Sequence, residues 1–328
     1  MRRFIICALF ALGCASLDAA PATAPTTSSA DEEKIVEPGK IAFDDSIPGA
    51  LQVRRATTGH LLVNPQINGR DVGWFILDTG AGMSCVDKEL AEKLGLPDAG
   101  GVTARGTGGS AESRVRSADV MTLGPVRIEG AKLLELNLKP FGIFLGQQIN
   151  GIIGYECFMA GVFDIDFVNA AVSVHNVTSY ELASGSWAPL TIQGRRPCAP
   201  GQIENNPPGL FLLDTGSTSD IVIHAPTVER FKLLEGRKTR WSMFGGVGGM
   251  KSASSGVLGC VTLAGERLDK VSASFSKATD GAMSDDSEQA TVGIPLLRQF
   301  RMFVNYPQKQ IALVPIAKPP STLPTTQP

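Results

Sequence analysis

The stretch that decides the fold is "GWFILDTGAGMS", residues 73–84, in which four consecutive apolar side chains lead directly into Asp78. An isolated charge is costly to bury, so an aspartate at the end of a core strand must be hydrogen-bonded or lose its charge. The same arrangement returns as "GLFLLDTGSTSD" at 209–220, where "LFLL" leads into Asp214. Two buried aspartates in matching contexts call for one explanation.

Further landmarks show that the chain is a tandem duplication. The segment "GTGG" at 106–109 matches "GVGG" at 246–249, and "GIIG" at 151–154 matches "ATVG" at 290–293. These pairs are 140 and 139 residues apart, and the two aspartates are 136 residues apart. Landmarks that recur in one order at a nearly constant spacing indicate two copies of one unit.

The periodicity within each copy is that of short strands broken by glycine and proline. Apolar and polar residues alternate around Leu134, Leu136 and Leu138 in the first copy, and around Val271, Ala273 and Phe275 in the second. One helix per copy is predicted, over "DKELAEKLGLP" at 87–97 and "APTVERFKLLEG" at 225–236. The fold class is therefore mainly β, with two similar lobes.

Two copies that pack about a pseudo-twofold axis would bring the two Asp-Thr-Gly turns together. Like charges a few ångströms apart cannot both ionise cheaply, so the pair would share one proton near neutral pH. The charged partner can then deprotonate a water while the protonated partner donates to a carbonyl oxygen. The pattern predicts general acid–base hydrolysis of an amide bond.

The motifs "LDTGAG" at 77–82 and "LDTGST" at 213–218, with the two downstream glycine elements, resemble those of the pepsin and retropepsin superfamily of aspartic proteases. The resemblance covers nearly all of the chain between Ile41 and Pro315. It implies a bilobal acid-protease fold built from two tandem retropepsin-like β-barrel lobes, with one or two short helices each. It also implies a single-chain pseudo-dimer that acts on peptides or proteins without a cofactor.

By that resemblance, Asp78 and Asp214 are the catalytic pair. The other residues of the two turns are expected to support them, the threonines by bonding the opposite loop and the glycines through their amides: Thr79, Gly80, Thr215, Gly216 and Ser217. The glycine-rich segments 104–109 and 243–249 are expected to close over substrate as flaps. Their candidate substrate-binding residues are Gly106, Gly108, Trp241, Phe244 and Gly246.

Two departures from the superfamily pattern are visible. Neither candidate flap carries the tyrosine that pepsins have there, and Thr291 replaces an expected apolar residue. The turns also differ from each other, since Ser217 follows the second Asp-Thr-Gly where Ala81 follows the first. We expect the Ser217 hydroxyl to bond the Asp214 carboxylate and favour its charged form, which would leave the shared proton more often on the first aspartate.

Composition excludes some functions. With 30 basic and 32 acidic residues the net charge is −2, and because no long run of one sign occurs, no nucleic-acid partner is expected. The three histidines, His60, His175 and His224, form no ligand pair, so no metal site is predicted.

The N-terminus is typical of an exported protein. Two arginines precede a short apolar run, which predicts a signal peptide over residues 1–20 and no transmembrane span. The segment "ALGC" ending at Cys14 is compatible with lipoprotein processing and a lipid anchor, and equally with ordinary cleavage. Periplasmic, secreted and envelope-anchored locations are all compatible with this sequence.

Predicted domain boundaries follow composition. Residues 21–45 form a flexible Pro/Thr/Ser linker, 46–180 the N-terminal lobe, 181–316 the C-terminal lobe and 317–328 a disordered tail. The remaining cysteines are expected either to pair within each lobe, Cys85 with Cys157 and Cys198 with Cys260, or to remain buried thiols.

Two other functions compete with peptide hydrolysis. A non-catalytic peptide-binding protein with this fold would have no need of two intact Asp-Thr-Gly turns. A glycoside hydrolase would need its two carboxyl groups about 5 Å or more apart, which is farther than twofold packing should place them.

Overall fold

The computed structural model describes residues 8–10 and 36–316 of the 328-residue chain. The predictions for Cys14, for most of the signal segment and linker, and for the C-terminal tail lie outside the described residues. Within these bounds, the chain has no helix that is both long and apolar enough to cross a membrane.

The strands of the first half are β1 (Ala8–Phe10), β2 (Lys40–Phe43), β3 (Val53–Arg55), β4 (Leu61–Val63), β5 (Gln66–Ile67), β6 (Arg70–Asp71), β7 (Phe75–Leu77), β8 (Cys85–Asp87), β9 (Asp98–Gly106), β10 (Gly109–Leu123), β11 (Val126–Leu136), β12 (Gly151–Ile153), β13 (Val162–Asp166) and β14 (Ala171–His175). Those of the second half are β15 (Ala188–Pro189), β16 (Thr191–Gln193), β17 (Arg196–Ile203), β18 (Gly209–Leu213), β19 (Ile221–Ile223), β20 (Arg240–Gly246), β21 (Gly249–Leu263), β22 (Glu266–Ser276), β23 (Ala290–Val292), β24 (Phe300–Asn305) and β25 (Gln310–Pro315). The α-helices are α1 (Lys88–Leu94), α2 (Lys139–Leu145), α3 (Tyr155–Phe158), α4 (Ala225–Arg230) and α5 (Ile294–Leu297), and a short 3₁₀ helix spans Ala282–Ser284.

The two halves have the same strand topology. In the first half β12 runs parallel to β7 and antiparallel to β8, and β8 runs parallel to β11. In the second half β23 runs parallel to β18 and antiparallel to β19, and β19 runs parallel to β22. The mainly β, two-lobed fold predicted from the duplicated sequence is confirmed.

A third sheet of five strands joins the lobes, in the order β14-β13-β24-β25-β15. At its centre β13 pairs antiparallel with β24, and Asp164 lies opposite Phe303. These two residues are 139 positions apart in the sequence, and the same spacing relates Asp166 to its counterpart Asn305 in the repeat. A residue that faces its own counterpart marks the pseudo-twofold axis, so this axis passes through the centre of the joining sheet.

Helix α1 begins and ends where its sequence predicts. Asp87 is the N-cap and Gly95 ends the helix in the left-handed conformation, with φ of 66°. The second predicted helix is wrong at its end, because α4 stops at Arg230 instead of continuing to Gly236. Lys232 adopts a positive φ of 50°, which a helix cannot accommodate, and the segment 231–236 forms turns.

Helix α2 is an element that the sequence prediction missed. The alternation of leucines around residue 134 was expected to continue through Leu138, but strand β11 ends at Leu136 and the chain turns into a helix with Pro140 in its first turn. Proline is well suited to that position because its missing N–H would have no helical partner. The corresponding region of the second lobe holds only the short 3₁₀ helix.

The predicted disulfides are not formed, and the four cysteines of the described chain are free thiols. Cys85 and Cys157 belong to two different hydrophobic clusters. Cys198 lies six residues before Glu204, whose N–H donates to Cys260 O at 3.0 Å across an antiparallel strand pair. This places the second pair roughly 20 Å apart along the strand, far beyond the Cα separation of a disulfide.

Replacing Asp87 with alanine should destabilise the first lobe by about 1–2 kcal/mol. The carboxylate of Asp87 accepts the N–H groups of Glu89 at 3.0 Å and Leu90 at 3.4 Å, and its second oxygen accepts that of Leu138 at 3.0 Å. Urea unfolding measures the effect, with Glu92→Ala on the exposed face of the same helix as the control. Equal midpoints for the two variants would contradict the capping role.

Candidate active site

The two Asp-Thr-Gly turns follow strands β7 and β18 and meet at the interface between the lobes. The strand that lies alongside fixes each aspartate, because the N–H of Asp78 donates to Ile153 O at 3.0 Å and that of Asp214 donates to Val292 O at 2.9 Å. Both aspartates have 0% of their surface exposed. The apolar-then-glycine elements of the sequence therefore supply the strands that hold the two carboxylates.

The threonines of the turns bind the two lobes to each other. Thr79 Oγ1 donates to Leu213 O at 2.6 Å and accepts the N–H of Thr215 at 3.1 Å. Thr215 Oγ1 donates to Leu77 O at 2.7 Å and accepts the N–H of Thr79 at 3.0 Å. Four reciprocal hydrogen bonds in a buried interface fix the relative position of the loops, and any displacement would leave buried polar groups unpaired.

The glycines of the turns make room for the opposite carboxyl group. A Cβ atom on Gly80 would lie 2.7 Å from Oδ1 of Asp214, and one on Gly216 would lie 2.4 Å from Oδ2 of Asp78. Each glycine also donates its N–H to the aspartate of its own turn, at 2.8 Å in both cases. Each carboxyl group therefore lies between its own loop and the glycine of the other loop.

Burial dominates the electrostatics of the pair. It raises the pKa of Asp214 to about 7, although hydrogen bonds from the Asp78 carboxyl and the Gly216 N–H, and the charge of Arg196, act in the opposite direction. A hydrogen bond between two carboxyl groups requires a proton on one of them. The pair therefore retains one proton up to near neutral pH, and because the Asp78 carboxyl is the donor of that bond, Asp78 is the protonated member and Asp214 the charged one.

The expected bond between the Ser217 hydroxyl and Asp214 is absent among the described contacts. The hydroxyl oxygen instead accepts the N–H of Ser219 at 3.4 Å. Ser217 acts on Asp214 through its backbone N–H, which is one of the groups that lower the pKa of that carboxyl. The cause inferred from serine against alanine was therefore wrong, because Ser217 acts on the Asp214 carboxyl through its backbone N–H and not through its hydroxyl.

Two aromatic side chains that the sequence analysis did not assign also hold the turns. His60 Nε2 lies 2.9 Å from Gly216 O in the opposite lobe, and Tyr306 donates its hydroxyl to Thr79 O at 3.1 Å. Burial and the nearby Asp78 raise the pKa of Tyr306 well above its ordinary value, so its hydroxyl keeps its proton. The repeat offers one clue in the sequence. At the position equivalent to Tyr306 the first copy has Phe167, so only the second copy carries a hydroxyl there.

The threonine that departs from the superfamily pattern has a partner inside the second lobe. Thr291 is fully buried, and its hydroxyl lies 2.9 Å from Nε2 of His224. The polar pair replaces the apolar contact expected at this position. Burial lowers the pKa of His224, which favours the neutral imidazole that such a pair requires.

The two glycine-rich segments form the ends of the β9–β10 and β20–β21 hairpins, and these ends meet. Gly108 N donates to Val247 O at 2.9 Å. Val247 is only 8% exposed and packs into an apolar cluster of the first lobe with Ala81 and Met83. Among the other predicted flap residues, Gly106 and Gly246 end strands β9 and β20.

The aromatic flap residues have different positions. Phe244 is fully buried against Val222, Ala253 and Met283, so it anchors the second hairpin to its own lobe. Trp241 is 70% exposed near the start of the same hairpin.

An apolar cavity of 340 Å³ lies where α2 approaches the tip of the second hairpin. Its walls are Leu136, Asn137, Pro140, Phe141 and residues 246–250. The cavity is built from both halves of the chain, and its helical wall is the element that the sequence did not predict.

A pair of aspartates shared between two β lobes, with a glycine-rich hairpin from each lobe, defines an aspartic protease type of site. The chain belongs to the aspartyl protease family, whose profile matches residues 63–157 and 199–295, one match in each lobe. No curated protein matches the sequence significantly.

Replacing Gly80 with alanine should lower kcat by about 100-fold or more, because the added methyl group would displace the Asp214 carboxyl. Gly101→Ala in β9 is the matched control, since a Cβ there meets only Ser113 O at 3.9 Å. Steady-state kinetics on a peptide substrate give the comparison. If both alanine variants kept wild-type kcat, the close approach of the loops would not matter to the chemistry.

Proposed function

We propose that the protein is an exported aspartic endopeptidase that hydrolyses peptide bonds with a water held between Asp78 and Asp214. The observation that carries the proposal is the buried contact of two carboxyl groups, one of which keeps its proton to near neutral pH. Membership of the aspartyl protease family supports peptidase activity. Export rests on the N-terminal sequence alone.

The chemistry divides between the two carboxyl groups. The ionised group, which we assign to Asp214 because it accepts the hydrogen bond of the Asp78 carboxyl, takes a proton from the water as the water oxygen attacks the carbonyl carbon. The protonated group, Asp78, gives its proton to the carbonyl oxygen, so a neutral tetrahedral intermediate forms. Asp214 then gives the proton it took from water to the amide nitrogen, and Asp78 takes a proton back from a hydroxyl of the intermediate as the C–N bond breaks. The pair returns to its singly protonated state.

The substrate is proposed to bind as an extended strand beside the hairpins. The outer edge of β20 accepts such a segment in this structure, because β1 pairs with it in parallel and Leu9 lies opposite Phe244. Pairing at a strand edge gives backbone hydrogen bonds that do not depend on sequence, and pockets for side chains then provide selectivity. The apolar cavity at Phe141 and Val247 favours an apolar substrate side chain.

One chain carries both aspartates and both hairpins, so we propose that the monomer is active. A non-catalytic peptide-binding role is the alternative, and the shared proton argues against it, because binding alone does not need two buried carboxyl groups in contact. That contact also argues against glycoside hydrolysis, which needs the carboxyl groups about 5 Å or more apart.

Asp78→Asn and Asp214→Asn should each abolish cleavage of an unstructured protein substrate. Wild-type activity should rise as the pH rises through about 7, because burial raises the pKa of Asp214 to that value and the base must be ionised. It should fall again where Asp78 loses its proton, so product formation is measured from acid to alkaline pH. Asp269→Asn, on the exposed surface of the second lobe, is the control.

Specific activity that stays constant on dilution would support the proposal that the monomer is active. The proposal fails if either catalytic-site variant retains full turnover, or if the wild-type protein cleaves no unstructured substrate at any pH.

Cleavage sites should have apolar residues next to the cut bond, and Met250→Glu should lower kcat/KM on such substrates by about tenfold. Met250 lines the apolar cavity, and a carboxylate there would face apolar substrate groups. Val257→Glu is the matched control, since Val257 is exposed on β21 of the same hairpin, outside the cavity and away from the β20 edge. Peptide-library profiling checks both statements, and cuts concentrated at lysine or aspartate would contradict the assignment.

A further inference from the structure

His60 lies just before strand β4 of the first lobe, but its functional contact is in the second. The side chain is fully buried, and Nε2 lies 2.9 Å from the carbonyl oxygen of Gly216. Nδ1 lies 2.7 Å from the hydroxyl oxygen of Thr58. The imidazole therefore connects the β3–β4 turn of one lobe to the Asp-Thr-Gly turn of the other.

The two partners fix which nitrogen carries the proton. A carbonyl oxygen only accepts hydrogen bonds, so Nε2 must be protonated to bond Gly216, and Nδ1 then accepts the hydroxyl proton of Thr58. Burial lowers the pKa of His60 to about 4, against the raising effect of the bond to Gly216. The ring is therefore a neutral donor of constant charge across the pH range in which the aspartate pair titrates.

The bond to Gly216 has a short connection to the reacting group. Gly216 O and the N–H of Ser217 belong to one peptide unit, so a donor at the oxygen polarises that N–H. The Ser217 N–H lies 3.2 Å from the backbone oxygen of Asp214 and lowers the pKa of the Asp214 carboxyl. His60 can therefore influence Asp214 without touching it.

The equivalent position of the second lobe carries a different kind of side chain. His60 precedes Asp78 by 18 residues, and the residue 18 before Asp214 is Arg196. Arg196 donates to Glu288 of its own lobe at 2.9 Å, so the repeat places a neutral donor that crosses the interface at one position and a guanidinium at the other. The two catalytic turns are therefore held by different chemistry.

We propose that His60 is a positioning residue of the active site, whose Nε2–H fixes and polarises the Gly216–Ser217 peptide group and thereby orients Asp214. The inference deepens the proposed peptidase function and rests on it for its kinetic consequences. Its effect on the titration of the aspartate pair exists whether or not peptides are cleaved.

Other groups that face Asp214 must stay constant in the test. They are Asp78 from the opposite turn, Arg196 from β17 and Tyr306 from the segment after β24. None of them is changed in the variants below, so a shift in the titration of the pair reports the His60 connection.

Four variants separate positioning from general structural damage. His60→Leu removes the donor, whereas His60→Gln keeps an N–H that can reach Gly216 and cannot gain a charge. Thr58→Val leaves the imidazole in place but removes the hydroxyl that fixes its tautomer. Thr57→Val is the control, because that neighbouring hydroxyl bonds Leu145 O at 3.2 Å instead.

We expect His60→Leu to lower kcat by about fivefold, the value of one net hydrogen bond, and to move the acid limb of the kcat/KM profile to higher pH. The limb moves upward because Asp214 loses stabilisation of its charged form. Thr58→Val should shift the limb in the same direction by less, His60→Gln should retain most of kcat, and Thr57→Val should match wild type.

The titration of the aspartate pair is also measured in the free protein, from the carboxyl carbon resonances of ¹³C-labelled aspartate. The same order of upward shifts, with His60→Leu largest, supports the inference even if no substrate is cleaved, in which case only the peptidase proposal fails. Equal titration in His60→Leu, His60→Gln and wild type would overturn the positioning role. Loss of activity at every pH by one constant factor would also overturn it, since that result indicates a purely structural contribution.

Discussion

The contact between two buried carboxyl groups is the constraint on which the rest of this structure depends. Two ionised aspartates at this distance and burial would repel each other strongly, so the site is stable with one shared proton. The raised pKa of Asp214 is the consequence of that burial. An acid and a base made from one residue type therefore exist together near neutral pH, provided that the two loops cannot move apart.

The fold prevents that movement with hydrogen bonds between equivalent parts of two lobes. Thr79 and Thr215 take part in four bonds across the interface, two with each other and two with carbonyl oxygens of the preceding strands, and the glycine of each turn leaves space only for the opposite carboxyl. The joining sheet pairs Asp164 with its own counterpart, so the pseudo-twofold axis relates both the strands and the turns. Duplication produces the active site because each copy alone carries one carboxylate and half of the bonds.

The sequence predicts the parts of this arrangement that are local or repeated. The buried strands, the capped helix after Asp87 and the two Asp-Thr-Gly turns carry short-range signals. Contacts between the lobes carry no such signal, and His60 and Gly216 are 156 residues apart, so the imidazole could be placed only by the structure. The predicted Ser217 bond was wrong, and the helix after Leu138 was missed, for the same reason: the surrounding fold decides both.

Asymmetry then arises from substitutions at equivalent positions of the repeat. Tyr306 donates to the first turn where its counterpart Phe167 has no hydroxyl, and His60 supports the second turn where the repeat places Arg196. In a strictly symmetric pair the shared proton would lie equally often on either aspartate. For a substrate bound in one direction, half of the molecules would then have the acid where the base is needed. Unequal supports around equal aspartates remove that degeneracy, and a fused chain can acquire them because each copy mutates independently.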